Sequence, residues 1–255
     1  MCLVAIAVEA HPRFSMIIAA NRDEFHVRPS LPAHPWEDLP GIFGGRDLKD
    51  GGSWFSVDAS GRFALVTNIR RFPLREGRSR GELVAQFLAS PEDLTTQAKR
   101  VAAEATRYRP FNLVLGAAGR IYFINSDRCE AQALAPGIHG LSNADLNTPW
   151  AKTLRLTAAL SEYCARGDAS LEPLWSALAD RTIAPDAKLP DTGIGLERER
   201  FLSSAFIVGE TYGTRASTLL TVDEAGRVQL IERGFGPNGT ALGEHWLESG
   251  TANAG

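Results

Sequence analysis

Two apolar runs open the chain, Cys2 to Val8 and Phe14 to Ala20, separated by a short turn at His11-Pro12. Short aliphatic runs bounded by turn residues predict strands, and this spacing predicts an N-terminal hairpin. Alternating patterns recur at Ser53–Val57 with Arg62–Asn68, and at Phe111–Gly116 with Arg120–Asn125, each pair joined by a Gly-containing turn. Ala205–Val208, Ser217–Val222 and Arg227–Glu232 read as strands towards the end of the chain. Helical spacing marks Arg80–Leu88 behind a Ser79 cap, then a helix capped by Ser90 with Pro91 first and Asp93 third. It marks Trp150–Ala165, with Leu156, Leu160, Tyr163 and Cys164 on one face, and Leu171–Ala179. Residues 26–52 carry Pro29, Pro32, Pro35, Pro40 and several glycines, which predicts one long loop of the kind that usually serves function.

Hairpins at both ends with helices between them predict antiparallel sheets covered by helices, an α+β class. Neither a linker nor a repeat divides the chain, so one domain is expected over residues 1–250, followed by a frayed tail at 251–255.

The composition changes this picture little. Of 255 residues, 44% are hydrophobic and 22% charged, enough to bury a sizeable core. A formal net charge of −3 gives no general attraction to nucleic acid or to an anionic membrane. The apolar start is too short for a signal-peptide core, and no segment has the length of a membrane helix, so a cytosolic location without a transmembrane segment is expected. Cys2, Cys129 and Cys164 have unrelated spacings and read as reduced thiols. His11, His26, His34, His139 and His245 show no zinc-ligand spacing, and the glycine pairs lack the Lys-Ser/Thr of a P-loop. Gly140-Leu141-Ser142-Asn143-Ala144 approaches a serine-hydrolase elbow, but that elbow needs a parallel sheet.

The candidate chemistry begins at Cys2. Removal of the preceding methionine would leave a thiol and a free α-amine on one residue, and the two reference pKa values lie close enough for the amine to take the thiol proton. The polar tetrad Asn21-Arg22-Asp23-Glu24 ends the second strand of the same hairpin, so it should lie near Cys2. A carboxylate there would hold the amine, and a guanidinium would favour thiolate. Neighbours on a regular strand face opposite sides, which groups Asn21 with Asp23 and Arg22 with Glu24; on this ground Asp23 ranks above Arg22. Cys2 is expected to be far more reactive than Cys129 or Cys164. Asn68 and Asn143 end strands and are candidates to hold an oxyanion. Arg215, before a strand, is a candidate carboxylate binder. Trp36, Phe43, Trp54 and Phe55 are candidates for either core or the wall of an apolar pocket.

Taken together with Gly44-Gly45-Arg46-Asp47, Gly51-Gly52-Ser53-Trp54, Thr67-Asn68, Leu141-Ser142-Asn143, Leu189-Pro190-Asp191-Thr192-Gly193 and Tyr212-Gly213-Thr214-Arg215, the tetrad carries a resemblance. The sequence resembles the NRDE family of transport-and-Golgi-organisation proteins over nearly its whole length. That family is in turn similar to N-terminal-nucleophile (Ntn) hydrolases of the penicillin V acylase and bile-salt hydrolase type. The resemblance implies a four-layer αββα sandwich of antiparallel sheets. It implies Cys2 as nucleophile and base, Arg22 and Asp23 as supports, Asn143 and Asn68 as oxyanion donors and Arg215 as an orienting cation. Asn21, Glu24, Arg46 and Trp54 are then expected to contact substrate. Hydrolysis or transfer of an amide-linked acyl group on a small molecule is the leading expectation, with no cofactor required for catalysis. The alternative implied by animal members of the family is a non-catalytic carrier, with haem or a lipid as the bound apolar ligand.

Overall fold

The computed structural model describes residues 2–70 and 75–249. Its first strand, β1 (Cys2–Val8), pairs antiparallel with β2 (Phe14–Phe25), and this hairpin is the centre of the first sheet. β10 (Gly137–Leu141) flanks β1, while β11 (Tyr212–Asp223), β12 (Val228–Phe235) and β13 (Ala241–Glu248) extend the other side. The second sheet takes its strands in chain order: β3 (Ser30–Pro35), β4 (Ile42–Asp47), β5 (Phe55–Asp58), β6 (Phe63–Asn68), β7 (Phe111–Ala117), β8 (Arg120–Asn125) and β9 (Glu130–Ala133). All pairings within both sheets are antiparallel.

Three apolar layers follow from the alternation of side chains along these strands. Val4, Ile6 and Ile18 of the first sheet meet Phe55, Phe63, Leu65 and Val114 of the second between the sheets. Leu3, Ala5, Ala7, Ile17 and Ala19 point the other way, under Leu156, Leu160 and Tyr163 of α3 (Ala151–Arg166) and Leu174 and Leu178 of α4 (Glu172–Leu178). Ala64, Val66, Leu113 and Leu115 lie against Leu83, Val84 and Phe87 of α1 (Gly81–Ala89) and Ala98 and Val101 of α2 (Leu94–Ala103). The fold is an α+β αββα sandwich. Strands buried on both faces read as continuous apolar runs, which is why β1 and β2 were plain in the sequence.

Several expectations need correction. Residues 26–52 contain two strands; β3 is an edge strand, where prolines cost no sheet hydrogen bond, and so Pro32 and Pro35 hid it. β2 runs on through Phe25, which puts the polar tetrad inside a strand. Asp93, not Ser90, caps α2, accepting from the amides of Thr95 and Thr96, and Arg80 rather than Ser79 precedes α1. Ala205–Val208 is irregular, while β9, β10, β13 and α5 (Leu196–Phe201) were not foreseen. α3 ends as its sequence suggests, on Gly167 with φ 66° in the left-handed region. Trp36, Phe43 and Phe55 are core. The expected tail lies outside the described residues. Among the described residues no helix is long and apolar enough to cross a membrane.

Candidate functional site

Cys2 and Arg22 are direct partners in the β1–β2 ladder, so their side chains share the face between the sheets. There they line a cavity of about 100 Å³ with Trp54, Asn68, Asp47 and Arg80. The grouping expected along the tetrad holds: Arg22 faces Cys2 across the ladder, and Asp23, on the other face of the strand, also reaches the lining of the cavity. Arg22 lies 4.1 Å above the Trp54 ring and 3.7 Å from Asp47. One glycine makes room for this stack: a Cβ on Gly45 would fall 2.0 Å from the Trp54 ring.

The Cys2 thiol approaches the Val66 carbonyl at 3.9 Å. Burial pushes its pKa up, the Asp23 carboxylate adds to this, and Arg22 works against both. Arg22 thus favours the thiolate as expected, but burial outweighs it.

Asp23 and Asn21 face the helices. Thr214 donates to Asp23 Oδ1 at 2.7 Å and itself accepts from the Ile207 amide. Burial raises the Asp23 pKa against the pull of Lys152 and Thr214. Asn21 donates to the carbonyls of Leu178 and Ala205, both at 2.8 Å, and accepts from Ser217 at 2.6 Å. With its amide fully engaged, Asn21 ties helix to sheet and is not placed to contact substrate. Glu24 does line the cavity and accepts from the Phe25 amide. Arg46 is elsewhere, paired with Asp38 at 2.8 Å over the Trp36 ring. Arg215 sits at a bulge in β11, the extra residue between Thr214 opposite Asp23 and Ala216 opposite Arg22. Its guanidinium donates to the carbonyls of Arg28 at 2.5 Å and Phe25 at 3.3 Å, so it braces the turn after β2 instead of entering the Cys2 cavity.

Asn143 is fully buried, and its amide nitrogen donates to Asn68 Oδ1 at 3.1 Å and to the Asn68 carbonyl at 2.9 Å. A carbonyl only accepts, which fixes which end of Asn143 faces it; Asn68 must then present Oδ1 to Asn143 and keep its own NH₂ for the cavity it lines. The Asn143 amide is thus spent on Asn68, and the NH₂ turned to the cavity is that of Asn68. Its strand end is held from behind by Thr67 donating to the Ser142 carbonyl at 2.8 Å and Asn112 donating to the Ala144 carbonyl at 2.7 Å. Ser142, the elbow-like serine, donates to the Cys2 carbonyl at 3.0 Å and so anchors the nucleophile's strand.

Lys152 was missed in the sequence. It is 2% exposed, and its Nζ has no hydrogen-bond partner among the described residues. A lysine in the first turn of a helix opposes the helix dipole, and this was the available signal. Nearby, Arg70 pairs with Glu199 at 2.7 Å, and Thr192 of the Leu189–Gly193 motif caps the same carboxylate through its amide and hydroxyl. Burial lowers the Lys152 pKa to about 8, with Asp23 opposing the shift and Arg70 adding to it. Above pH 10.5 the amine is neutral in folded and unfolded chains alike; as pH falls to 8 only the unfolded chain gains the proton, and stability drops. Against a Lys152→Met variant, which lacks this proton, the wild-type protein is therefore expected to gain about 2–3 kcal/mol between pH 7 and pH 10. Denaturant titrations of both proteins across that range measure it, and parallel curves would show that the amine titrates normally.

The cavity, its cysteine and its fold bear comparison with known proteins. The profile of the family described as Transport and Golgi organisation 2 matches residues 1–237. The bovine Transport and Golgi organization protein 2 homolog is 36% identical over 91% of this chain and 92% of its own length. The human homolog is 32% identical over the same shares, and the Drosophila melanogaster protein 26% identical over 94% and 95%. Among solved structures, a mutant conjugated bile acid hydrolase from Clostridium perfringens superposes with a TM-score of 0.51 at 7% identity, over 97% of this chain and 92% of that one. That likeness shows a shared Ntn-hydrolase fold. On the extent of the profile match and of the mammalian identities, the chain belongs to the Transport and Golgi organisation 2 family.

Proposed function

We propose that this protein cleaves or transfers an amide-linked acyl group, with Cys2 as an N-terminal nucleophile. The supporting observation is the coincidence, in one cavity, of the first residue of β1 with an asparagine amide held ready to donate. Continuing the β1–β2 register one position beyond Cys2 leads opposite Asp23, so an α-amine freed on Cys2 would lie at the Asp23 end of the ladder. The amine takes the thiol proton as sulfur bonds to the carbonyl carbon, and the carbonyl electron pair moves onto oxygen beside Asn68. When that pair returns, the C–N bond breaks and the leaving amine takes the proton back. Water, deprotonated by the same α-amine, then attacks the thioester; the C–S bond breaks and the thiol is restored. The relatives are named for transport and Golgi organisation, and a cytosolic, reducing setting suits a free Cys2 thiol.

Two mass measurements test the scheme. Protein made without an N-terminal tag is expected to lose one methionine and, incubated with small amides, to show an acyl adduct on Cys2. Retention of Met1 in every host would remove the amine from the chemistry.

A carrier of haem or an acyl lipid is the second reading, favoured by one observation. At the far end of the sandwich a cavity of about 270 Å³ opens between the sheets, walled by Val8, Met16, Phe63, Ile121 and Val222. That reading requires saturable binding of haem or a fatty acid by Cys2→Ala protein, lost on Met16→Trp.

A further inference from the structure

The walls of the Cys2 cavity are built from ions, and most of them are paired. Arg22 faces Asp47, Arg28 bridges Asp47 and Asp50 at 2.5 and 2.8 Å, and Arg109 reaches Asp50 at 3.2 Å. Among the arginines of this wall Arg80 is the exception, and Glu24 on the same wall also has no ion pair among the described residues. Arg80 lines the same cavity, yet among the described residues no carboxylate lies within ion-pair distance of it, and its guanidinium makes one long hydrogen bond, 3.4 Å, to the Pro110 carbonyl. Burial, with Arg109 adding to it, lowers its pKa against the opposing pull of Cys2 and Glu24.

Its position is enforced by two glycines. Gly52 packs on Gly81, where a Cβ on Gly52 would lie 2.3 Å from the Gly81 carbonyl carbon, and the Ser53 amide donates to the Gly81 carbonyl at 3.1 Å. The Gly51-Gly52-Ser53-Trp54 motif thus seats the start of α1, and Arg80 with it, against the wall of the cavity that holds Cys2. A planar guanidinium is suited to a carboxylate, which it binds through two parallel hydrogen bonds.

We infer that Arg80 is the specificity-determining residue of this cavity, binding a carboxylate on the substrate, so that the amide presented to Cys2 belongs to a small carboxylate-bearing molecule. Arg80 would then meet the substrate carboxylate with a guanidinium that no protein carboxylate occupies, and the ion pairs of Arg22, Arg28 and Arg109 beside it would keep a long apolar chain out. This substrate class rests on the Cys2 reading above, whereas the carboxylate site itself does not.

The experiment compares matched probes. N-acetylglycine and N-acetylglycinamide place or omit a carboxylate on the amine side of the scissile bond; succinamate and butyramide do so on the acyl side. Wild-type protein is expected to prefer one carboxylate member over its neutral partner. In Arg80→Gln that preference in kcat/KM should shrink roughly 10- to 100-fold, the worth of a hydrogen-bonded charge, and mostly through KM. Arg80→Lys, retaining charge without the fork, should restore part of it. Calorimetric binding of the same probes to Cys2→Ala protein separates the two readings. Arg80-dependent carboxylate binding without turnover of any probe by the wild-type protein would sink the nucleophile and leave the inference standing. Turnover that ignores the carboxylate, or carboxylate binding unaltered by Arg80→Gln, would overturn the inference and leave the nucleophile.

Discussion

Replacing Cys2 by alanine is expected to abolish amide turnover, with a loss on the order of 10⁶ where the chemistry is fully nucleophile-dependent. The size follows from what Cys2 contributes. In the proposed reaction its sulfur forms the covalent bond, and its α-amine takes the proton of a thiol whose pKa burial raises. An added residue in front of Cys2 should therefore be nearly as damaging as the alanine, since it leaves the thiol and removes the amine. Neither change should unfold the protein: Cys2 makes one weak sulfur contact and is only partly buried. Progress curves on an amide that acylates the wild-type protein, together with thermal unfolding of each variant, measure this. Turnover reduced less than tenfold would move the reaction to another residue. Alkylation gives an independent reading. Cys129 is exposed and Cys2 half-buried, so iodoacetamide is expected to reach Cys129 first, contrary to the order suggested by charge alone.

The hairpin, the layers and the neighbourhood of Cys2 were legible because they depend on periodicity and adjacency, which a sequence displays directly. β1 and β2 are strongly apolar, and an antiparallel hairpin must return its polar end to its own beginning. What could not be read was register. Which of Arg22 and Asp23 faces Cys2 changes with a one-residue slip, and only the ladder, with Cys2 opposite Arg22, decides it. The edge strand β3 was hidden by prolines that an edge tolerates, and Arg46 resembled its motif neighbours while pointing at Trp36. Lys152 and Arg80 were illegible for a different reason. Each comes from the start of a helix distant in sequence from Cys2; the first-turn position of Lys152 was a weak local signal, and nothing local distinguishes an unpaired arginine from a surface one.

Asn68→Ala is expected to lower turnover by about 10²–10³ with a modest loss of stability, whereas Asn143→Ala should cost more stability and less turnover. The two asparagines make opposite use of their amides. Asn143 is buried and spends both N–H groups on Asn68, one on its backbone carbonyl and one on its side chain. Truncating Asn143 leaves that carbonyl and Oδ1 without their donor, a loss of about 1–3 kcal/mol of folding stability. It also frees the Asn68 side chain to rotate, so the donor remains but loses its aim, and the turnover loss should be smaller than in Asn68→Ala. Asn68 itself lines the cavity, and its NH₂, turned away from Asn143, makes no other protein hydrogen bond among those of the described residues. Removing it takes away the stabilisation of a developing oxyanion and costs the fold one acceptor of Asn143, which keeps its bond to the Asn68 carbonyl. Denaturant midpoints and turnover of the two alanine variants, measured side by side, separate the roles. A stable Asn143→Ala with the larger catalytic loss would return the oxyanion to Asn143 and reduce Asn68 to its support.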